Sequence, residues 1–123
     1  MKYDTIKDPP APTIKVTIFN PISGNNVQYY GILDTGADDT AIPSNLIAEL
    51  GLQKVRKKDY IDVYGRLVKE WTYYINVDFN NFLLEFIEVV ALPQDEVIIG
   101  RDILNNFKIV LDGKNLHFEI HDP

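Results

Sequence analysis

The stretch GILDTGADDTAIP, residues 31–43, decides the fold of this chain, because an apolar run ends there in three aspartates within six positions. Residues 27–34 have the composition of a β-strand, and Asp34 lies at its end. Carboxylates are costly to bury in a core. A strand that ends in Asp34, followed by Thr35 and the small Gly36, is suited to hold an acid at the floor of a cleft.

Composition places the chain among small globular proteins and excludes several function classes. The 123 residues suit one domain, and twelve Lys and Arg against eighteen Asp and Glu give a net charge of −6. That charge argues against nucleic acid as a partner, and the basic run at residues 54–58 is interpreted as a solvated face. No apolar stretch approaches the roughly 20 residues of a membrane span, so no membrane partner is expected. The start lacks the apolar middle of a secretory signal, which predicts a cytoplasmic location.

Alternating apolar residues predict a mostly β domain. Strands are expected at residues 13–19 and 27–34, with a turn between them, and again through residues 58–90. A single glycine, Gly65, predicts a hairpin tip formed by Tyr64, Gly65 and Arg66. A short buried strand is expected at residues 96–100.

One or two short helices complete the predicted domain. After the aspartates, Ser44 is suited to cap a helix that Gly51 would end. Residues 101–107 carry apolar side chains at helical spacing, and Asp112-Gly113 predicts a two-residue hairpin turn. Three prolines before residue 13 predict an extended amino-terminal arm over residues 1–12, which leaves residues 13–123 as a single domain.

The inventory of catalytic side chains is narrow. The chain has no cysteine, which excludes a thiolate nucleophile and a Cys-based zinc site. Its two serines, Ser23 and Ser44, occupy a turn and a capping position, so they offer little to a Ser-His-Asp arrangement with His117 or His121.

Two possible metal sites, one for zinc and one for calcium, are compared with simpler interpretations of the same residues. His117, Glu119 and His121 alternate on one strand face, where they either bind zinc or form a solvated face near the chain end. A calcium loop beginning at Asp34 fails, because glycine, aspartate and asparagine stand where a ligand, the turn glycine and the bidentate glutamate belong. We therefore expect no metal and no cofactor.

The remaining chemistry is that of paired carboxylates. A water held between one ionised and one protonated carboxyl group can attack an amide carbonyl. Such a site needs two acids, and the chain contains only one Asp-Thr-Gly sequence, at Asp34. The second acid would have to come from another copy of the chain, related by a two-fold axis.

These residues resemble the retroviral-type aspartic proteases, the retropepsins. ILDTGADDTAIP at residues 32–43 and VIIGRDILNNF at residues 97–107 match the two signature elements of that family, and 66 positions separate Asp34 from Gly100. The helix expected after the first element and the hairpin VLDGKNLHFEI look more like cellular and prokaryotic members than like viral enzymes. The resemblance covers about residues 15–120.

The resemblance implies a closed β-barrel subunit that is active as a two-fold dimer and hydrolyses peptides. Asp34 would be the catalytic acid and base, supported by Thr35, whose hydroxyl interlocks with its twin, and by Gly36. A structural ion pair between Arg101 and Asp38 would hold the loop. The alternative is a catalytically weak retropepsin-like module for dimerisation or peptide binding.

The resemblance also implies a substrate-binding set, in which an extended peptide or protein segment lies between the active-site loop and a flap. Glu96 belongs to a region that lines a pocket in viral relatives. Ile32, Ala41 and Ile98 are either pocket walls or plain core residues. The expected substrate contacts are Gly36, Ala37, Asp38, Asp39, Tyr64, Gly65, Arg66 and Ile98.

Overall fold

A computed structural model describes residues 1–62 and 64–122 of the chain; Val63 and Pro123, the last residue of the expected domain, lie outside the described residues. The architecture is mostly β, as predicted, with two short helices. The elements are β1 (Thr13–Phe19), β2 (Asn26–Leu33), β3 (Ala41–Pro43), α1 (Leu46–Leu50), β4 (Lys54–Ile61), β5 (Leu67–Phe79), β6 (Phe82–Leu92), β7 (Val97–Ile99), α2 (Arg101–Leu104), β8 (Lys108–Asp112) and β9 (His117–His121).

Six strands close into a barrel, which confirms the predicted fold. The order β1-β2-β7-β3-β6-β5 returns to its start because β5 also pairs with β1, with Ile18 opposite Val77. Strand β4 lies outside this ring, paired with β5 as an extra edge. The edge strand projects from the barrel as one arm of the β4–β5 hairpin.

The core lies inside the barrel, where alternate strand residues point inward. Val16 and Ile18 of β1 are buried, and so are Ile75 and Val77 of β5. The two helices add buried apolar side chains to this core, including Leu46 of α1. No helix within the described ranges is long and apolar enough to cross a membrane.

The first helix differs from the prediction at its start. It begins at Leu46 with Asn45 as the N-cap residue, so the expected cap at Ser44 was wrong. The backbone N–H of Ser44 instead donates to the carbonyl of Leu92 at 2.8 Å, because Ser44 still follows the path of β3 beside β6. The helix ends at Gly51 with φ of 66°, as predicted for the left-handed position after a helix.

The carboxyl-terminal hairpin also differs. Residues 113–116 connect β8 to β9, so the two-residue turn predicted from Asp112-Gly113 was wrong. The backbone N–H of Asn115 donates to the Asp112 carboxylate at 3.1 Å, and Leu116 takes a φ of 53°. The side chain of Asp112 therefore organises a longer turn than the dipeptide suggested.

The amino-terminal residues fold back onto the barrel's carboxyl-terminal hairpin. Asp4 and Ala11 pair through two backbone hydrogen bonds of 2.8 and 3.2 Å, which closes a loop between them. Met1 exchanges hydrogen bonds with Phe118 of β9, whose N–H donates to the Met1 carbonyl at 2.8 Å. The segment thereby extends the β8–β9 sheet within its own chain.

Candidate active site

Asp34 directly follows β2 at the point where β2 and β7 run parallel. Its backbone N–H donates to the carbonyl of Ile99 at 2.9 Å, which joins the active-site loop to β7. Its carboxylate accepts a hydrogen bond of 2.9 Å from the N–H of Gly36. One carboxylate oxygen is thus held by the loop's own backbone, and the carboxyl group faces a groove.

A buried network fixes the far end of the same loop. The hydroxyl of Thr40 donates to one carboxylate oxygen of Asp102 at 2.7 Å, and its N–H donates to the other at 3.0 Å. The same hydroxyl oxygen accepts from the N–H of Gly100 at 3.1 Å, and Thr40 is fully buried. Sequence reasoning did not assign Asp102 a role. The available signal was its position shortly after the buried strand β7 and Gly100.

Gly100 lies where two loops meet with no room for a side chain. A Cβ atom at this position would lie 2.7 Å from the carbonyl carbon of Asp39 and 3.0 Å from the oxygen of Ala37. These neighbours are backbone atoms, so they cannot rotate away. Glycine is therefore required by close approach and not by a left-handed turn.

Arg101 joins three parts of the active-site loop. Its guanidinium contacts the carboxylate of Asp38 and donates to the carbonyl of Thr35 at 2.9 Å. Its backbone N–H donates to the carbonyl of Ala37, also at 2.9 Å. The Asp38 side chain is 81% exposed, so solvent screens the ion pair, and the backbone contacts carry most of the positioning.

The groove in front of Asp34 has a volume of about 620 Å³. The loop forms its floor, apolar residues of β3, β6 and β7 form one wall, and the end of β4 forms the other. Ile32 and the flap-tip residues do not line it. The lining residues are Asp34, Gly36, Ala37, Asp38, Asp39, Ala41, Lys58, Asp59, Tyr60, Ile61, Val90, Leu92 and Ile98.

Lys58 is a groove residue that the sequence interpretation missed. Its ammonium lies 2.8 Å from the Asp39 carboxylate, so this lysine bridges β4 and the active-site loop and is not part of a solvated face. Alternation along β4, where Lys58 and Tyr60 are half-buried between exposed residues, was the available signal. Burial, together with the charge of Asp39, raises the pKa of Tyr60 to about 12.

The tip of the β4–β5 hairpin, which is the expected flap tip, lies apart from this groove. Tyr64 is 80% exposed, and Gly65 adopts a φ of 76° in the turn. The carboxylate of Asp62 accepts from the N–H groups of Tyr64 and Arg66 at 2.9 Å each and pairs with the Arg66 guanidinium at 2.8 Å. These contacts are local to the turn and hold Tyr64, Gly65 and Arg66 together, outside the lining of the groove.

The base of the flap hairpin is anchored more firmly. Arg56 of β4 donates two hydrogen bonds, of 2.7 and 3.0 Å, to the carboxylate of Glu88 in β6. The hydroxyl of Thr72 in β5 donates to the same carboxylate at 2.6 Å. Hydrogen bonding from Arg56 and Thr72 lowers the pKa of Glu88. A three-strand contact therefore holds the hairpin where it leaves the barrel.

Thr35 faces a different groove from Asp34. This smaller groove, of about 230 Å³, lies beside the active-site loop. Leu111 of β8 is 43% exposed there, and its neighbour Val110 is 39% exposed. The groove is lined by Leu33, Thr35, Leu104, Asn105, Phe107, Ile109 and Leu111.

The other candidates lie outside the groove in front of Asp34. Glu96 lines a separate cavity, where the ammonium of Lys7 approaches its carboxylate to 2.5 Å. His117 contacts the Met1 amino group at 3.2 Å, whereas His121 contacts Glu119 at 3.2 Å. Among residues 1–62 and 64–122, no three His, Asp or Glu side chains are grouped so that they could hold a metal ion.

A sequence model of one protein family matches residues 21–106, which include the Asp34 loop, the flap and α2. The description of that family is "gag-polyprotein putative aspartyl protease". None of the curated proteins matches the chain. The family match covers more than two thirds of the 123 residues.

Solved structures of retroviral-type proteases share the fold. EIAV protease, in complex with the inhibitor HBY-793, is 25% identical, with a TM-score of 0.59 over 85% of this chain and 92% of its own. A retropepsin-like aspartic protease from Rickettsia conorii is 20% identical, with a TM-score of 0.57 over 98% and 96%. The Simian Foamy Virus (mac) protease is 17% identical, with a TM-score of 0.58 over 76% and 92%.

Proposed function

This chain belongs to the gag-polyprotein aspartyl protease family, and we propose that it is a homodimeric aspartic endopeptidase. The observation that carries the proposal is the position of Asp34. Its carboxylate is held by the Gly36 N–H at the floor of a groove of about 620 Å³. One acid per chain leaves the site incomplete, so a second copy must bring its own Asp34 to the same water molecule.

The proposed reaction is general acid–base hydrolysis of an amide. Two carboxyl groups in contact share a single proton, because both cannot ionise at low cost. The ionised carboxylate takes a proton from water as the oxygen attacks the carbonyl carbon, while the protonated carboxyl group supports the developing oxyanion. The tetrahedral intermediate then releases the amine as the C–N bond breaks, and the amine nitrogen takes the proton that the carboxylate had accepted from water, which returns the pair of carboxyl groups to its starting state. Since one acid must keep its proton, we expect an acidic-to-neutral pH optimum.

The small groove beside Thr35 supports the pairing of two copies. Leu111 and Val110 present apolar surface next to it. Within the described part of the chain, β8 pairs only with β9, so its outer edge is free to meet a second copy. In the proposed dimer this face is covered, the two Thr35 hydroxyls interlock, and the two Asp34 groups come together.

Substrate binding is proposed for both walls of the catalytic groove. An extended peptide would add strand-like hydrogen bonds to the loop backbone at Gly36 and to the flap. Ile98 would contact its side chains from one wall, and Ala37, Asp38 and Asp39 from the floor. The flap tip, with Tyr64, Gly65 and Arg66, would have to move toward Asp34 to cover the peptide.

Replacement of the proposed catalytic acid tests this function. Asp34→Asn should reduce cleavage of a diverse peptide library by about 10³-fold or more, because the dyad loses its base. Thermal unfolding and sedimentation should show an unchanged fold and dimer. Asp122→Asn, at an exposed position near the chain end, is the matched control and should cleave normally.

Two results would contradict the proposal. Retained cleavage by the Asp34→Asn protein would remove Asp34 from the chemistry. A monomer that cleaves peptides at working concentration would remove the dyad. Peptide binding by the unaltered protein without any cleavage would favour the catalytically weak binding module instead.

A further inference from the structure

The outer half of the β4–β5 hairpin, residues 57–62 and 64–71, extends beyond the barrel. Strand β6 pairs with β5 only from Thr72 onward, so the described residues of the outer half pair through their backbones only with one another. The end of β4, which forms one wall of the groove in front of Asp34, belongs to this outer half. The position of that wall therefore depends on the contacts that attach the outer half to the rest of the molecule.

One ion pair attaches the outer half to the active-site loop. The ammonium of Lys58 lies 2.8 Å from the carboxylate of Asp39. Among the hydrogen bonds and ion pairs made by the described side chains of the outer half, it is the only one that leaves the hairpin. The other ion pairs of this half, made by Asp62 and Lys69, stay within it. Lys58 thus holds the hairpin between its anchored base and its tip.

Asp39 is a firm partner, because its backbone is packed against the start of α2. A Cβ atom at Gly100 would lie only 2.7 Å from the carbonyl carbon of Asp39. The next residue, Thr40, is fully buried and is hydrogen-bonded to Asp102. An ammonium group that pairs with Asp39 is therefore attached to the same rigid loop that carries Asp34.

Lys58 differs from the lysine beside it. Lys58 and Tyr60 are two residues apart and half-buried, whereas the alternating residues Lys57 and Asp59 are exposed. The ammonium of Lys57 lies 5.4 Å from the ring centroid of Trp71, within the hairpin. Of these two adjacent lysines, which carry the same charge, only Lys58 joins the hairpin to the loop.

We infer that Lys58 is a positioning residue that ties the outer half of the flap hairpin to the active-site loop through Asp39. The pair holds the β4 wall near the floor of the groove before a peptide arrives, so less ordering of the hairpin is needed on binding. The two side chains are 37% and 25% exposed, so solvent weakens the pair and the hairpin can still open. The role in peptide binding rests on the proposed function, whereas the attachment itself does not.

Hydrogen exchange in the Asp34→Asn protein tests the attachment without any cleavage. Mass spectrometry follows the backbone amides of residues 64–71, in the outer half, and those of β1 as an internal reference. Lys58→Met removes the ammonium group, whereas Lys58→Arg keeps a cation at the same position. Lys57→Met is the matched control, because it changes the net charge by the same amount at the neighbouring position.

We expect Lys58→Met to speed exchange over residues 64–71 by about three- to fivefold, since local opening no longer has to break the ion pair. Exchange in β1 should stay unchanged. Lys57→Met should not alter exchange in either segment, and Lys58→Arg should alter it by less than about twofold. Asp39→Asn should act like Lys58→Met, and the double variant should add nothing further, because both substitutions remove the same interaction.

Peptide cleavage by the protein with Asp34 intact tests the consequence for binding. Lys58→Met should raise KM by about three- to fivefold and leave kcat within about twofold, because the ion pair orders the hairpin and takes no part in proton transfer. The rise in KM should be equal for peptides with and without acidic side chains. Lys58→Arg should restore KM.

Unchanged hydrogen exchange in Lys58→Met, or equal acceleration by Lys57→Met, would overturn the inference. So would an unchanged KM, or a KM that rises only for acidic peptides, which would make Lys58 a direct contact for substrate carboxylates. If the unaltered protein cleaves no peptide, the proposed function fails, and the exchange rates still decide whether Lys58 attaches the hairpin. Failure of the attachment, in turn, would leave the test at Asp34 unaffected.

Discussion

The loop that carries Asp34 and the tip of the β4–β5 hairpin are held in different ways. The loop from Asp34 to Thr40 is fixed by residues sixty or more positions away, through Ile99, Gly100 and Asp102. The flap tip is held by Asp62, whose carboxylate, among residues 1–62 and 64–122, makes hydrogen bonds only to Tyr64 and Arg66 of the same turn. The first loop is therefore fixed to the barrel, whereas the hairpin tip is stabilised by contacts within its own turn.

In the proposed protease, this difference would assign rigidity and movement to separate parts of one site. A carboxylate that takes part in proton transfer must keep its position to a fraction of an ångström, which long-range buried contacts provide. A flap that covers substrate has to move, and a turn with local contacts moves as a unit about its anchored base. In this protein the base is the contact of Arg56 and Thr72 with Glu88.

The largest effect is expected where the active-site loop meets α2. Gly100→Ala places a methyl group 2.7 Å from the backbone of Asp39, so the two loops must separate. We expect the free energy of unfolding to fall by roughly 3 kcal/mol and activity to be lost with it. Urea denaturation and peptide cleavage measure the two quantities.

Gly113→Ala is the matched control for that substitution. A Cβ at Gly113 meets nothing within 4 Å, so stability should change little. Equal stability of the Gly100→Ala and Gly113→Ala proteins would show that close approach at Gly100 does not hold the loop, and the comparison would fail.

A smaller loss is expected from the buried hydroxyl of Thr40. Thr40→Val keeps the shape but removes one donor to Asp102 and the acceptor for the Gly100 N–H. Leaving these groups unpaired should lower the free energy of unfolding by about 2 kcal/mol. Thr40→Ser keeps the hydroxyl and should retain more of the stability and of kcat. Urea denaturation of both variants measures the loss. A Thr40→Val protein as stable as the Thr40→Ser protein would show that the hydroxyl does not stabilise the loop.

The smallest effect on stability is expected at the flap tip. Hydrogen bonds from Arg66 and Tyr64 lower the pKa of Asp62 below its usual 3.8. A lowered carboxyl pKa means that its contribution is complete above about pH 4 and is lost as the pH falls through the lowered value. We expect the turn to loosen only in that acid range, which the NMR signals of Tyr64 and Gly65 would report.

Asp62→Asn is the companion variant. It should remove the pH dependence of those signals while Tm at neutral pH stays within a degree or two, because the turn is exposed. Loss of global stability in this variant would show that the flap tip is coupled to the barrel. The contrast between the two loops would then be wrong.

Much of the fold was readable from local patterns. Alternation predicted β1, and a short apolar run predicted β7. Gly51 and Gly65 marked the end of a helix and a hairpin tip, and two signature elements indicated the closed barrel. The errors at Ser44 and at Asp112-Gly113 have one cause. Both residues have short-range preferences that the path of a neighbouring strand or a side-chain hydrogen bond overrides.

The sequence by itself determined that one Asp-Thr-Gly element ends an apolar strand, that a second such element is absent, and that the chain is mostly β. Only the tertiary structure decided that Lys58 meets Asp39 and that Thr40 and Asp102 share a buried network. The physical reason is closure of the barrel. Local patterns specify each strand, but the side chains that meet depend on which strands become neighbours, and that follows from long-range pairing.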